Sequence, residues 1–383
     1  MIVRWKLACL CMALIAYGTA KADEPGKVWQ GTLGPNEIVV KIDAPTKGSA
    51  DLAGRYFYRR HRIDIQLRGK ASADGRITLQ EGRDDDDTPR SSWQMQTPAQ
   101  DRWDGEWIGP KGKRLPIHLH GLTAATMPTP REPGLAALRG EGDDYAWLRL
   151  SELTLQKKKL QQVNGVTLQW LHQPDSRIDL FEVVSGYPDP QLQRINATLR
   201  KQLWGWVDNY YGCVSGTRDG LGEFETTTTL RHISPKIISV SMLSSFYCGG
   251  AHPDFSDGPL NIDPRDGREL DLDDVLWLGS GKALHRGKGN SYDEAWSDYR
   301  GKRFAPWVVK QLKSLYPDAF KVGDDECNYD DPELWQFAQW YATPKGIHIS
   351  AYFPRVARSC DDPDWAVLPW KVVDEHPGAV RIH

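Results

Sequence analysis

Short runs that alternate apolar and polar residues dominate the first third of the chain. Between residues 28 and 121 the runs are VWQGTLG, EIVVKID, GRYFYRR, IDIQLRG, ITLQEG, WQMQT, WDGEWIG and LPIHLHG. Turn residues separate them, such as Ala-Asp-Gly at 73–75 and Gly-Pro-Lys-Gly at 109–112. Evenly spaced strands with little helical periodicity predict a small antiparallel β barrel or sandwich over residues 23–121.

The pattern changes after residue 121. Residues 122–144 are rich in Pro, Gly, Thr and Ala and predict a linker. Strand-like segments at 147–150, 166–170, 223–230, 237–246 and 365–372 then mix with helical patterns. The clearest helix has Asp189 at the N-cap and Pro190 at its first position. Its apolar face consists of Leu192, Ile195, Leu199, Leu203 and Trp206. The sequence therefore predicts an α+β fold, with the β barrel or sandwich followed by an α+β region over 145–383.

The N-terminus has the pattern of a Sec-type signal peptide over residues 1–22. Arg4 and Lys6 precede an apolar run, and Ala20-Lys21-Ala22 forms an A-x-A cleavage site. The run is shorter than the roughly 20 apolar residues that a membrane span requires. We therefore expect cleavage after Ala22, a periplasmic or secreted protein, and no membrane span in the mature chain.

The cysteines indicate a protein of an oxidising compartment, and the net charge gives no support to a nucleic-acid-binding one. Cleavage leaves an even number of cysteines, as is usual in an oxidising compartment: Cys213, Cys248, Cys327 and Cys360. Four cysteines allow three pairings; Cys213 with Cys248 and Cys327 with Cys360 is the sequence-local one. The absence of CxxC and CxH spacings favours disulfides over a metal site. A net charge of −3 gives no electrostatic reason to expect nucleic-acid binding.

Residues 244–277 hold the most informative stretch of the sequence. Gly249-Gly250 predicts a sharp bend or a close backbone approach, because glycine adopts conformations that other residues avoid. His252-Pro253 follows in a loop rich in Asp, Gly and Pro, and Asp266-Gly267 predicts a turn between two strands.

This stretch resembles a known bacterial domain. The matching residues are Tyr247, Gly249-Gly250-Ala251-His252-Pro253, Asn261-x-Asp263 and Asp266-Gly267, and the run WYATPKGIHIS at 340–350 is similar to the closing strands of that domain. The family is the RsiV/PdaC-like extracytoplasmic domain, a domain of unknown function found in the anti-sigma factor RsiV and the peptidoglycan deacetylase PdaC. The resemblance spans about residues 165–373. It implies an α+β fold and ligand recognition, since the best-understood use of the domain is recognition of lysozyme.

We therefore expect a non-enzymatic binding module of the cell envelope that recognises a lysozyme-like protein or peptidoglycan. The candidate ligand-binding residues are Tyr247, Gly249, Gly250 and His252 of the glycine-histidine loop, and Asp84, Asp85, Asp86 and Asp87 of an acidic loop. In this hypothesis the acidic loop contacts a basic partner. The alternative interpretation of the loop is a solvated turn that binds nothing. It lacks the D-x-D-x-D-G order of a Ca²⁺ loop.

A metal-dependent envelope hydrolase is the alternative from a different functional class. His252 would act as general base or Zn²⁺ ligand together with Asp254, Asp257 and Asp263. A second histidine, His232 or His348, would have to come from elsewhere in the chain, and nucleophile motifs such as G-x-S-x-G are absent. The structural interpretation, without catalysis, is that His252 hydrogen-bonds backbone carbonyls and fixes the bend. A structural envelope protein without a ligand is the third hypothesis. The sequence favours binding over catalysis and predicts no metal and no other cofactor.

Overall fold

The computed structural model describes residues 27–43, 49–82, 90–123, 125–132, 134–135, 143–217, 222–287, 293–321 and 327–383. The predicted signal peptide and the acidic loop of Asp84, Asp85, Asp86 and Asp87 lie outside these residues. Among the described helices, none is long and apolar enough to cross a membrane.

The N-terminal strands β1–β8 close into an antiparallel barrel. They are Lys27–Leu33, Asn36–Ile42, Asp51–Tyr58, Ile65–Ala71, Arg76–Glu81, Ser92–Gln96, Arg102–Ile108 and Arg114–Gly121. Each pairs with its neighbour in sequence, and β1 pairs with β8 to close the ring. Successive side chains of a strand point to opposite faces, so Trp93 and Met95 are buried while Gln94 between them is exposed. Of the two predicted architectures, barrel or sandwich, the structure has the barrel.

A carboxylate joins three strands in the barrel. Glu81 Oε1 accepts hydrogen bonds from Tyr56 Oη at 2.6 Å, Trp93 Nε1 at 2.9 Å and Trp107 Nε1 at 2.8 Å. These donors lie on β3, β6 and β7, so one side chain satisfies the polar groups of three large aromatic residues.

The barrel packs against the rest of the chain through the outer faces of β2 and β3. Val39 and Phe57 share a core with helix α1, Asp144–Leu150. A buried ion pair between Arg149 and Asp64 crosses the same contact. Leu135, which lies in the predicted linker, is buried in this core as well.

The predicted strand at 147–150 is wrong, because these residues belong to α1. The Asp143 carboxylate accepts hydrogen bonds from the backbone N–H groups of Tyr145 and Ala146 and starts the helix. Tyr145, Trp147, Leu148 and Leu150 are all buried. A short, continuously apolar run does not distinguish a strand from a buried helix by its periodicity.

Helix α2, Asp189–Val214, connects a three-stranded sheet to a four-stranded one along the chain and packs against both. The first sheet is β9–β11 (Gln156–Val163, Val166–Gln173, Ile178–Ser185), and the second is β12–β15 (Glu223–Ile233, Ile238–Tyr247, Asp254–Asp257, Leu260–Ile262). The helix starts one residue earlier than predicted, with Pro188 at the N-cap and Asp189 as its first residue. Extended backbone angles hold Pro188 outside the helix, and the Asp189 carboxylate suits the positive end of the helix dipole.

The C-terminal elements enclose a second large core. They are α3 (Leu272–Val275), α4 (Glu294–Tyr299), a π-helical turn (Arg300–Phe304), α5 (Ala305–Leu315), β16–β18 (Trp340–Thr343, Gly346–Ile349, Val367–Pro369), α6 (Trp370–Glu375) and short 3₁₀ turns at Pro317–Phe320, Pro332–Trp335 and Arg355–Cys360. The predicted strand at 365–372 is wrong in its second half, because the chain enters α6 after Pro369. The disulfides join Cys213 to Cys248 and Cys327 to Cys360, which is the sequence-local pairing.

Candidate functional site

The glycine-histidine loop, residues 247–253, starts at the end of β13 and is fastened by the Cys213–Cys248 disulfide. Gly249 has a φ of +84°, and a Cβ at this position would lie 2.3 Å from the Gly216 carbonyl oxygen. Only glycine fits this close backbone approach without strain. At Gly250 a Cβ would meet nothing within 4 Å. Of the two glycines, only Gly249 is therefore required by the backbone geometry.

The His252 side chain is exposed and joins the loop to a distant segment. Its Nδ1 lies 2.9 Å from the Pro253 carbonyl oxygen and contacts the Arg355 guanidinium. Arg355 opens the 3₁₀ turn Arg355–Cys360, whose last residue is held by the Cys327–Cys360 disulfide. Neither of these His252 contacts involves a carboxylate.

Arg358 fastens the same turn to strand β14. It donates hydrogen bonds to Asp254 at 3.1 Å, to Asp361 at 2.6 Å and to the Phe255 carbonyl oxygen at 2.8 Å. Its guanidinium also lies 4.7 Å from the ring centre of Phe255 and 4.8 Å from that of Tyr352. Charge-assisted and cation–π contacts of this kind fix the orientation of both rings.

A pocket of about 230 Å³ lies beside this contact, between β13, β14 and the segment 337–362. Its apolar lining includes Leu243, Phe246, Phe255, Phe337 and Tyr352. Its charged lining consists of Asp254, Asp257, Asp361, Asp362 and Arg358. The pocket therefore combines aromatic walls with a surplus of negative charge.

Asp257 has the most perturbed carboxyl group of this pocket. Burial, followed by the neighbouring Asp362, raises its pKa from 3.8 to about 6, against the opposing effects of Arg231, the Gly258 amide and the Ser241 hydroxyl. Both carboxylate oxygens are buried, and the donors that stabilise their charged form, the Ser241 hydroxyl and the Gly258 amide, lie outside ordinary hydrogen-bonding geometry.

Asp362, by contrast, has partners. It accepts a hydrogen bond from Ser350 Oγ at 2.6 Å and lies 3.6 Å from His348 Nδ1. Burial lowers the pKa of His348, whose ring stacks on Tyr341 at 4.4 Å. His348 therefore belongs to the layer beneath the pocket and does not reach the His252 loop through these contacts.

Exposed apolar side chains surround the pocket and continue onto the 3₁₀ turn. We call them the apolar rim: Leu243 (49% exposed), Phe255 (37%), Phe337 (43%), Tyr352 (63%) and Val356 (97%). Leu243, Phe255, Phe337 and Tyr352 line the pocket, and Val356 lies next to Arg355 on the turn. Clusters of exposed large apolar side chains commonly mark interaction sites.

The structure brings together only part of the residues singled out in the sequence. Tyr247, Gly249, Gly250, His252 and Asp254 all lie on the glycine-histidine loop or directly after it. Asp263 lies in the following turn, where its two carboxylate oxygens accept hydrogen bonds from Arg265 at 2.8 and 2.6 Å. This engagement with Arg265 gives Asp263 a structural role in its own turn.

The side chains from the second half of the pocket were not predicted from the sequence. They are Phe337, Tyr352, Arg358, Asp361 and Asp362, and they come about 80–110 residues after strand β14, with which they line the pocket. No local motif marks them. An isolated aromatic or charged residue in a loop has no periodic signal that would separate it from an ordinary surface residue.

One group of potential metal ligands occurs elsewhere among the described residues, and it does not include His252. Ligand atoms of Asp271, Asp274 and His285 lie within 4.8 Å of one another. Asp274 already accepts hydrogen bonds from Arg268 and from the Asp271 backbone N–H, each at 3.0 Å. The latter bond completes a capping box at the start of α3. The group therefore has a structural explanation without an ion.

No protein-family model matches the sequence, and no curated protein matches it. Among solved structures, the chain is similar to a crystal structure of a member of the DUF3298 family from Bacteroides fragilis. The match has 13% sequence identity and covers 59% of this chain and 94% of that chain, with a TM-score of 0.32. A TM-score this low does not establish a shared fold.

Proposed function

We propose that the protein is a non-enzymatic binding module of the cell envelope, and that its ligand docks on the glycine-histidine loop and the apolar rim. The observation that carries the proposal is the apolar rim itself, because four of its five exposed side chains line one pocket. Rigid aromatic side chains beside a pocket are the usual anchors of a protein interface. The two disulfides support an oxidising compartment such as the periplasm.

The shape of the surface favours a protein ligand. The rim contains aliphatic as well as aromatic side chains, as protein interfaces do. The pocket, at about 230 Å³, is below the range of about 300–1,000 Å³ that encloses a small molecule. It is suited to one protruding side chain. We therefore place a lysozyme-like protein first and peptidoglycan second, in keeping with the resemblance to the RsiV/PdaC-like family.

The hydrolase hypothesis has less support from the geometry. A histidine base needs a group that orients it and a reacting atom within reach. His252 instead contacts a carbonyl oxygen and the cationic Arg355, and Asp263 is engaged by Arg265. These contacts favour a positioning role for the loop.

The first experiment is a pull-down on immobilised mature protein, with lysozyme and purified peptidoglycan as separate baits, repeated with EDTA. We expect saturable binding of lysozyme that is insensitive to EDTA. Binding of peptidoglycan alone would move the glycan to first place. Absence of binding to both, together with stoichiometric zinc in the purified protein, would refute the binding-module proposal.

A pair of double variants tests the location of the surface. Leu243→Ser/Val356→Ser removes two exposed aliphatic side chains from the rim, and Leu160→Ser/Val184→Ser removes two exposed ones from the three-stranded sheet. We expect the rim variant to bind at least about tenfold more weakly, because truncated anchors in an interface have effects of this size. The control variant should bind like the wild type. Equal affinities of the two variants would show that the ligand docks elsewhere.

A further inference from the structure

The charged groups that line the pocket carry more negative than positive charge. Arg358 donates to Asp254 and Asp361, and Ser350 donates to Asp362. No charged donor hydrogen-bonds Asp257 among the described residues; the Ser241 hydroxyl and the Gly258 amide stabilise its carboxylate from outside ordinary hydrogen-bonding geometry. Four carboxylates therefore line the pocket against the one guanidinium of Arg358.

The nearest other cation is already engaged. Arg231 donates from Nε to Ser241 Oγ at 2.7 Å, and its guanidinium lies 4.4 Å from the ring centre of Tyr341. It attracts the Asp257 carboxylate from a distance, without hydrogen-bonding geometry. Arg231 thus offsets only part of the negative charge that Asp257 and Asp362 place at the pocket.

A buried carboxylate without a partner is unfavourable, and two changes relieve it. One is protonation, and the other is a cation bound in the pocket. At the neutral pH of a cell envelope a carboxyl with a pKa of about 6 is mostly ionised, so protonation does not remove the charge. Aromatic walls such as those of Phe246 and Phe337 add favourable contacts for an alkylammonium or guanidinium group.

We propose that the pocket accepts the cationic side chain of one lysine or arginine of the protein ligand, with Asp257 and Asp362 as its counter-charges. This inference rests on the proposed function and specifies the chemistry of its central contact. The size of the pocket fits a single side chain, and its charge is complementary to a basic group. The apolar rim then surrounds this contact and excludes water from it, as neutral contacts do around the hot spots of other interfaces.

The contact is sensitive to pH. Asp362 raises the pKa of Asp257 and Arg231 lowers it; Arg358, Asp254 and Asp361 line the same pocket, and His348 lies beside Asp362. Protons compete with the cation for Asp257. Affinity for a cation is therefore highest when the pH is above about 6, and it falls as the pH drops through this value.

The test uses a small cation in place of the unidentified ligand. Full-length mature protein is titrated with Nα-acetyl-lysine methylamide and Nα-acetyl-arginine methylamide, followed by NMR shifts of the amides of Phe255, Asp257 and Asp361. The neutral Nα-acetyl-norleucine methylamide is the control probe. We expect localised shifts with the cationic probes and at least about tenfold weaker binding of the neutral one. Equal shifts with all three probes would overturn the inference.

Two variants of equal net charge make the test specific. Asp257→Asn removes the buried carboxylate of the pocket, and Asp298→Asn removes an exposed carboxylate of α4 that pairs with Lys302 of the π-helical turn. We expect Asp257→Asn to bind the cationic probes at least about tenfold more weakly and to lose the pH dependence near 6, whereas Asp298→Asn behaves like the wild type. Wild-type affinity in Asp257→Asn would overturn the inference. If Asp257→Asn does not fold, Asp362→Asn takes its place in the same titration.

Failure of the inference and failure of the proposed function give different results. If Leu243→Ser/Val356→Ser loses lysozyme while Asp257→Asn keeps both lysozyme and the cationic probes, the rim is the binding surface and the cation site is refuted. If Asp257→Asn loses the cationic probes while the rim variant keeps lysozyme, the pocket binds cations and the proposed docking surface is refuted.

Discussion

Replacing Asp257 by asparagine is expected to stabilise the unliganded protein at neutral pH. The change keeps the size of the side chain and removes a buried charge that lacks a hydrogen-bond partner among the described residues. The pKa of Asp257 is raised from 3.8 to about 6, mainly by burial. A difference of about two pKa units corresponds to roughly 3 kcal/mol, at about 1.4 kcal/mol per unit. This value is the upper end of the expected gain, because the pKa shift already includes the attraction to Arg231 and the amide of asparagine brings buried polar groups of its own.

The pH dependence of the stability gain shows whether the buried charge of Asp257 is its cause. Because the folded protein holds the Asp257 proton more tightly than the unfolded chain, the carboxyl destabilises the fold as the pH rises from about 4 to about 6. Above about 6 the whole penalty is present, and below about 4 both states are protonated. The gain in Asp257→Asn is therefore expected to be largest at about pH 7.5 and to shrink towards zero near pH 4.

Urea unfolding followed by tryptophan fluorescence measures this gain at several pH values, with Asp298→Asn as the control for net charge. The free energy of unfolding of Asp257→Asn should exceed that of the wild type at neutral pH, and the two should converge in acid. A variant that is equally or less stable at neutral pH, or a gain that does not change with pH, would contradict the assignment of an unpartnered buried carboxylate.

Two further predictions concern the glycine-histidine loop and the disulfides. Gly249→Ala should lower the free energy of unfolding by at least about 1–2 kcal/mol, because alanine is strained at positive φ and its Cβ meets the Gly216 carbonyl oxygen; Gly250→Ala should have a much smaller effect, and equal urea midpoints for the two variants would refute this. Reduction should cost about 2–4 kcal/mol per disulfide, measured by urea unfolding with and without reductant. Four free thiols in the unfolded, unreduced protein would show that the cysteine pairing is wrong.

The unfavourable state of Asp257 is informative about function. A protein of ordinary stability loses a measurable part of it to one buried charge. Carboxyl groups with raised pKa values concentrate at binding and catalytic sites, where interaction with a ligand offsets their cost. In this protein the perturbed carboxyl lies in the pocket that the apolar rim surrounds, so electrostatics and exposed apolar surface point to the same place.

Features that depend on near neighbours in the chain were predictable from the sequence. Alternation with a period of two residues predicts the barrel strands, because neighbouring side chains of a strand face opposite sides. The apolar spacing along α2 predicts a long helix for the same kind of reason. Gly249 also carries its own signal, since a glycine pair after a strand indicates backbone geometry that other residues avoid. The short helix α1 was misassigned, because a run that is buried on all sides has no clear period.

The tertiary structure alone decided which side chains meet. Glu81 becomes the acceptor of three aromatic donors only when the barrel closes. Asp263 and Asp257 look alike in the sequence, yet Arg265 engages the first while the second stays without a hydrogen-bond partner among the described residues. Arg358 reaches Asp254 across about 100 residues of chain. Such contacts depend on how separate elements pack, and local sequence patterns carry no information about distances between elements. The loop was therefore visible in the sequence, whereas the pocket beside β14 was not.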